Sequence, residues 1–382
     1  MKVLHLGNVP LPPEHPDHGR LHTHPGRWVL NHAKAQKAHA SIESEILVQV
    51  PGATADLTTT IEEIPVHFVA APDRLRLLTG FYFDGRRIGK RIAAMQPDLI
   101  HAHGTEDAYC LVALRSGKPF VLTLQGVMFV INRRVKPGLI DRMRFMEIIE
   151  NYCLKRTRHA VAKSRYIGEE VGRAYPRLTL HDIPNTFDPA ILETPEFPRE
   201  KSLIFIGTIC PRKGVHILRE GFALLKKDVP DLKLRMVGNT ENPAPYESDE
   251  LEQLKKSWGD DVVLHGQLKP KELFKLIAKA AALVAPSLEE MFGNQVIESL
   301  LVGTPAVVAD ETAMAENVRR FGYGAIFPQN DPEGLARTVR PFLQNENATE
   351  RKAAQEKIIR ELGPETVARK HLELYETVLK SS

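Results

Sequence analysis

The chain has 382 residues, 43% of them hydrophobic and 26% charged, with 25 glycines and 27 prolines. That composition is globular, leaves room for two domains with two cores, and excludes a disordered, collagen-like or fibrous protein. The formal charge of +3 is too near neutral to mark a nucleic-acid binder, although residues 1–190 hold 25 Lys/Arg against 19 Asp/Glu and the remainder 26 against 29.

Cys110, Cys153 and Cys210 form no Cys-x-x-Cys pair, which argues against a disulfide framework or a thiolate zinc site and suits a reducing compartment. The opening Met1-Lys2-Val3-Leu4-His5-Leu6-Gly7 reads as a core strand, its apolar run being too short for a signal peptide, and no stretch reaches the length of a membrane helix. The expected location is the cytoplasm.

Apolar runs at 2–6, 45–50, 66–70, 98–101, 120–124 and 160–162 alternate with amphipathic stretches, and the pattern restarts at 202–206, 232–237, 262–264, 282–285 and 306–309. Short strands alternating with helices predict two doubly wound α/β domains with parallel sheets. Pro195 and Pro198, set among Glu193, Glu196, Arg199 and Glu200, discourage helix and central strand. The expected division is therefore 1–192, a linker at 193–200, a second domain at 201–362 and a final helix at 363–382.

Two segments suit an anionic ligand. Pro286-Ser287-Leu288-Glu289-Glu290-Met291-Phe292-Gly293-Asn294 follows the strand at 282–285 and opens a helix that carries Glu298 and ends near Gly303-Thr304-Pro305. A strand, a glycine turn and a helix N-terminus present backbone N–H groups and a positive dipole end to a phosphate. Ionised Glu290 and Glu298 would pair with hydroxyl donors; taken alone, the pair reads rather as a helix-start charge and a solvated one. Gly207-Thr208-Ile209-Cys210-Pro211-Arg212-Lys213-Gly214 follows the first strand of the second domain, with Lys213 and Arg212 able to meet phosphate; on its own it also fits a basic surface loop.

The first of these segments resembles the two-glutamate motif of the retaining, nucleotide-sugar-dependent glycosyltransferases of family 4, in register from Pro286-Ser287 through Glu290, Phe292-Gly293 and Glu298 to Gly303-Thr304-Pro305. The second resembles the family's Gly-Arg…Lys-Gly phosphate loop, with Thr208 where the first Arg is usual. Residues 97–104, 119–126 and 183–188 resemble its acceptor-domain signatures, with Gln125 where a histidine usually stands near the transferred sugar and Asn185-Thr186 for its Asn-Gly.

The resemblance implies a GT-B fold: two facing Rossmann-like domains with a cleft between them, the N-terminal domain taking the acceptor, the C-terminal one the nucleotide sugar, and the last helix packing back on the first domain. It implies Glu290 and Gln125 as catalytic positions. Gly207, Thr208, Arg212, Lys213, Phe292, Gly293, Asn294 and Glu298 would bind the donor. His22, His24, His103 and Gly104 lie on the acceptor side. The implied reaction moves a sugar from a nucleoside diphosphate donor to a hydroxyl of a saccharide or lipid-linked acceptor, with retention and without metal or other cofactor. The departures at Thr208 and Gln125 leave open a catalytically impaired nucleotide-sugar-binding partner subunit.

Fifteen histidines, among them His15, His18, His22, His24, His101 and His103, raise metal binding, but no Asp, Glu or Cys completes a set at ligand spacing. The proline-rich loop 7–26 suits an acceptor-binding role or a plain surface loop. From Arg133 to Arg158, eight Lys/Arg accompany Leu139, Met143, Met146 and Ile149 on one helical face. Such a stretch predicts peripheral contact with an anionic membrane or an ordinary half-buried helix. No nucleic-acid module is recognisable.

Overall fold

The computed structural model describes residues 1–21, 26–73, 76, 79–138, 141–238, 245–344 and 347–381. They form two compact units, Met1–Thr186 with Leu362–Ser382, and Phe187–Glu361.

The first unit is built on eight strands: β1 (Lys2–Leu6), β2 (Glu43–Pro51), β3 (Leu57–Ile61), β4 (Ile64–Ala71), β5 (Leu99–His103), β6 (Phe120–Thr123), β7 (His159–Ala162) and β8 (Thr179–Asp182). They lie in the order β3-β4-β2-β1-β5-β6-β7-β8. All neighbours are parallel except β3 and β4, an antiparallel hairpin at the edge. β5 and β7 are buried along their whole length, as strands covered by helices on both faces must be. That burial extends to two polar residues, since His101 and His103 stand two apart on one face of β5 with no exposed alternation.

The C-terminal helix Pro364–Lys380 belongs to this unit. Its Val367, Leu374, Tyr375 and Val378 share a core with Val3, Leu99, Val121 and Val161 of the central strands, and it packs along the helix Trp28–Ala40. Thr186 Oγ1 donates to the Leu362 carbonyl at 2.9 Å, so the chain leaves and re-enters this unit side by side.

The second unit holds β9 (Glu200–Ile206), β10 (Lys233–Val237), β11 (Val262–Leu264), β12 (Ala280–Ala285), β13 (Ala306–Ala309) and β14 (Gly324–Phe327). Its sheet is parallel in the order β11-β10-β9-β12-β13-β14. Leu203, Phe205, Ile217, Phe222, Met236, Val284, Val307 and Phe327 contribute to one core.

The expected linker at 193–200 lies inside this second unit, and the division falls at 186/187 and 361/362 instead. The prolines keep the segment irregular, but its side chains are fastened. Arg199 donates to the Gly303 carbonyl at 2.5 Å and the Tyr323 hydroxyl at 2.7 Å, and Phe197 lies 5.7 and 5.6 Å from the ammonium groups of Lys275 and Lys279. Among the described residues no helix is long and apolar enough to cross a membrane.

Phe222 is fully buried and meets Trp258 edge-on at 5.2 Å. Phe222→Ala should therefore cost about 3–5 kcal/mol, the usual penalty for emptying a large aromatic site. The loss would be read as a lower urea midpoint at unchanged slope.

Candidate active site

In each unit the strand order reverses once, between β1 and β5 and between β9 and β12. At such a point the segments following the two neighbouring strands depart to opposite faces, and the carboxyl ends of the strands are left open to a ligand. Nearly all the described candidate residues lie at these two places.

In the second unit the short 3-10 turn Pro211–Lys213 follows β9, and Gly214 caps the helix Val215–Asp228. Gly214 has φ +68°, and a Cβ there would stand 2.1 Å from the Pro286 carbonyl oxygen, so only glycine lets the two loops approach this closely. After β12, Gly293 with φ +81° opens the helix Asn294–Leu301, and its missing side chain makes room for Met314. Both helices thus begin at the carboxyl edge of adjacent strands, with their first-turn amides facing the same open side.

Three contacts stitch the two loops together. Leu288 N–H donates to the Arg212 carbonyl at 2.8 Å, the Arg212 guanidinium donates to the Glu289 carbonyl at 2.9 Å, and Lys213 Nζ meets Glu290 Oε2 at 2.5 Å. The Glu290 carbonyl accepts from Ala313 N–H at 3.1 Å, and the Phe292 carbonyl accepts from Asn317 Nδ2 at 2.6 Å. Lys213 and Glu290 therefore come together as the two motifs suggested. Arg212 holds the neighbouring loop through one of its five guanidinium N–H donors. Thr208 is exposed and Gly207 is anchored to β10 through Val237.

Glu298 sits in the second turn of the helix Asn294–Leu301. The residue as a whole is half-buried, yet its carboxyl is enclosed, and burial first, then the charge of Asp188, pushes its pKa up to about 7. No hydrogen-bond donor of the described residues meets that carboxyl, which leaves its acceptor positions for a hydroxyl from outside.

In the first unit His103 closes β5, Gly104 follows it, and Gln125 lies two residues beyond β6. Gln125 Oε1 accepts from Lys163 Nζ at 2.6 Å, and its Nε2 lies 3.5 Å from His103 Nδ1. His5 joins from β1, with Nδ1 3.1 Å from His103 Nε2. The nitrogens of His5, His101 and His103 lie within 4.8 Å of one another, a cluster that the spacing of His101 and His103 only half revealed. Burial holds all three rings neutral, with His5 lowered to about 3.

Lys163, Glu106 and Glu150 escaped the sequence reading. Glu106 accepts from Gly126 N–H. Glu150, pushed up to about 7 by burial, accepts from Thr105 Oγ1 at 2.6 Å and from the first amides of the helix Met128–Val135 at 2.9 and 3.0 Å. The signal available for Lys163 was its place, a cation directly after a fully buried strand. His22 and His24 lie outside the described residues. In the described part of their loop, Asp17 is held down at about 2 by Thr54 N–H and then Arg20, which fastens the loop to the turn after β2.

The family model described as Glycosyltransferase Family 4 matches residues 26–191, and the one described as Glycosyl transferases group 1 matches residues 190–360. The chain belongs to glycosyltransferase family 4. It is 25% identical to a glycogen synthase of Mycobacterium tuberculosis over 293 residues, 73% of this chain and 69% of that one. Among solved structures, sucrose-phosphate synthase from Thermosynechococcus elongatus superposes with TM-score 0.81 at 18% identity, covering all of both chains. HepE of Anabaena in complex with UDP and glucose superposes with TM-score 0.72 at 17% identity over 99% of this chain and all of that one. The fold is GT-B, and this family 4 member is a sugar-transferring enzyme.

The raised pKa of Glu298 has a consequence for stability. The carboxyl ionises near 4.5 in the unfolded chain and near 7 in the folded one, so stability is highest at low pH and is lost as pH rises toward and through 7. Glu298→Gln should remove that loss. Thermal unfolding from pH 5 to 8 would then find the variant gaining on the parent as pH rises, and parallel curves would contradict the assignment.

Proposed function

We propose that the second unit binds a nucleoside diphosphate sugar and that the enzyme transfers its sugar to an acceptor hydroxyl with retention at the anomeric carbon. The observation that carries this is the Lys213–Glu290 contact at the β9/β12 reversal, with a helix start on either side. The Lys213 ammonium has three donors, of which Glu290 takes one, leaving two for phosphate oxygens. Bond breaking at the anomeric carbon sends negative charge onto the departing diphosphate, and Lys213 with the amides around Phe292, Gly293 and Asn294 meets it. Glu290 takes sugar hydroxyls, and Glu298, with its unoccupied acceptor positions, takes the ribose. The reading needs no metal, since the ammonium and the two helix starts supply the positive potential. The UDP and glucose named for the HepE complex support a nucleoside diphosphate sugar as donor. Retention of the paired Lys213 and Glu290, and of Glu298, favours an active enzyme over an impaired partner subunit.

The helix Arg142–Leu154 bears on the acceptor. Its buried side is Met146, Cys153 and Leu154 with Glu150, and its exposed side carries Phe145, Ile148 and Tyr152 at 40%, 65% and 44% exposure. The outward face is thus apolar rather than the cationic face expected, while Arg142, Lys155 and Arg156 at its ends are exposed. Arg156 stacks 3.8 Å over the Tyr152 ring. Apolar side chains rimmed by cations fit an anionic lipid surface, so the proposed acceptor is lipid-linked and the enzyme docks peripherally at the cytoplasmic face. Ile148→Glu should then abolish co-sedimentation with phosphatidylserine vesicles at low salt. Equal retention of parent and variant, or equal binding to neutral vesicles, would count against the docking face.

Two substitutions separate binding from chemistry. Lys213→Ala should weaken nucleoside diphosphate binding by roughly 1.5–3 kcal/mol, about ten- to a hundredfold. Glu290→Gln removes the competing partner of Lys213, so calorimetry should find that binding as tight as in the parent or tighter while turnover of the intact donor collapses. Normal turnover by Glu290→Gln would refute the role given to it.

A further inference from the structure

The polar groups buried around β1, β5 and β6 form one chain whose direction is forced from one end. Lys163 can only donate, so the Gln125 atom 2.6 Å from it is the amide oxygen. Gln125 Nε2 then donates to His103 Nδ1 at 3.5 Å. A neutral imidazole has one donor and one acceptor, so His103 carries its proton on Nε2 and donates to His5 Nδ1 at 3.1 Å. His5 in turn donates from Nε2 to Gln36 Oε1 at 3.0 Å. Gln36 Nε2 donates to the Tyr375 hydroxyl at 2.9 Å, and that hydroxyl to His101 Nδ1 at 2.5 Å. His101 Nε2 ends the chain on Thr123 Oγ1 at 2.6 Å. Every step uses a donor that the previous step leaves available. Ser44 Oγ adds a second bond to Gln36 Oε1 at 3.2 Å.

The neutral state this requires comes from the surroundings. His5, His101 and His103 are buried against one another and beside His32 and His371, and each would repel a second imidazolium. The same accounting disfavours a metal on the three rings, because both nitrogens of each are already engaged within the protein.

One end of this chain is Gln125, which is half-buried. Lys163 and His103 occupy one lone pair and one N–H of its amide. The opposite N–H and lone pair point elsewhere, with no partner among the described residues. We propose that the relay from Lys163 through His103, His5, Gln36 and Tyr375 to His101 is a positioning device that fixes which edge of the Gln125 amide is N–H and which is oxygen, so that the outward donor is set in advance for a sugar hydroxyl or ring oxygen. The inference rests on the reading of Gln125 as a residue that meets the transferred sugar. It makes His103 and Tyr375, the latter on the C-terminal helix, positioning residues for transfer. An imidazole at position 125 would choose its own tautomer, whereas a glutamine needs its neighbours to choose its orientation.

The test has a structural and a kinetic arm on the full chain. With selectively 15N-labelled histidine, long-range 1H–15N spectra at neutral pH should find His5, His101 and His103 each as the single Nε2–H tautomer. In Lys163→Met, where the forcing donor is lost, His103 and His5 should become tautomer mixtures. An Nδ1–H form of His103 in the parent, or spectra unchanged by Lys163→Met, would overturn the relay. In the kinetic arm, His103→Leu should lower kcat by roughly a hundredfold, the scale of a small misplacement, with KM for the donor within about twofold. His103→Gln, which can accept from Gln125 and donate to His5, should restore kcat to within about fivefold of the parent. Equal loss in both variants would reduce His103 to a packing role and overturn the positioning claim. A parent that transfers no sugar while showing the expected tautomers would refute the functional reading and leave the relay standing.

Discussion

In a parallel sheet, strands that follow one another to one side send their connections over one face, and strands added to the other side send them over the opposite face. Where the order reverses, two adjacent strands end with nothing drawn across them. The chain builds this opening twice, and the proposed chemistry draws on both. Gly207 and Pro286 leave adjacent strands β9 and β12; His5 and His103 sit on adjacent strands β1 and β5. Neither pair is close in sequence, and both are brought together by strand order alone.

The two openings are furnished differently. On the proposed reading the second unit meets its ligand with charge: an ammonium, two carboxyls and two helix starts, gathered on loops that bond to each other and to the following elements. Its loops can hold these groups because each is pinned by backbone contacts, Leu288 to Arg212 and Ala313 to Glu290. A substitution that loosens either loop would thus displace the Lys213–Glu290 pair even though neither residue is changed. The first unit has buried the polar groups from Lys163 to Thr123 and satisfied them by direction. A half-satisfied network in that position would cost more than an apolar core, which explains why the donors and acceptors from Lys163 to Thr123 are matched one for one.

The most legible strands are β12 and β13, whose apolar runs are unbroken; nine others, all of β1 to β11 except β3 and β8, also carry a readable apolar run. β3 and β8 were missed because Thr58, Thr60, Thr179 and Asp182 are exposed edge residues that carry little hydrophobic signal. β14 was missed because Gly324 begins it. The motif residues Lys213, Glu290 and Glu298 were visible because their spacing is local to one loop and one helix. Lys163, Glu106 and Glu150 were not, since each acts on a residue 20 or more positions away. The division of the chain was misplaced for a related reason: prolines report that a segment is irregular, but only contacts such as those of Arg199 report which body holds it. The basic stretch near Arg142 erred in the opposite direction, because a helical face chosen by hydrophobicity alone does not tell which side another helix has already covered.

If Gln125 meets the transferred sugar as proposed, the neutrality of the histidine cluster beside it also bears on catalysis. Glycosyl transfer develops positive charge at the anomeric carbon, and an imidazolium close to the sugar would oppose it. Burial lowers His5 to about 3 and His32 to about 4 and holds His101, His103 and His371 well below their ordinary value. Five rings therefore add hydrogen-bond direction without adding charge across the physiological pH range. Gln125 extends the same principle to the one position where the family usually places a titratable ring. An amide cannot be protonated there, so whatever it donates to a sugar is independent of pH. The cost is that an amide, unlike an imidazole, presents two chemically opposite edges of nearly equal shape. Lys163 resolves that ambiguity, since an ammonium placed on one edge of the amide tolerates only oxygen there.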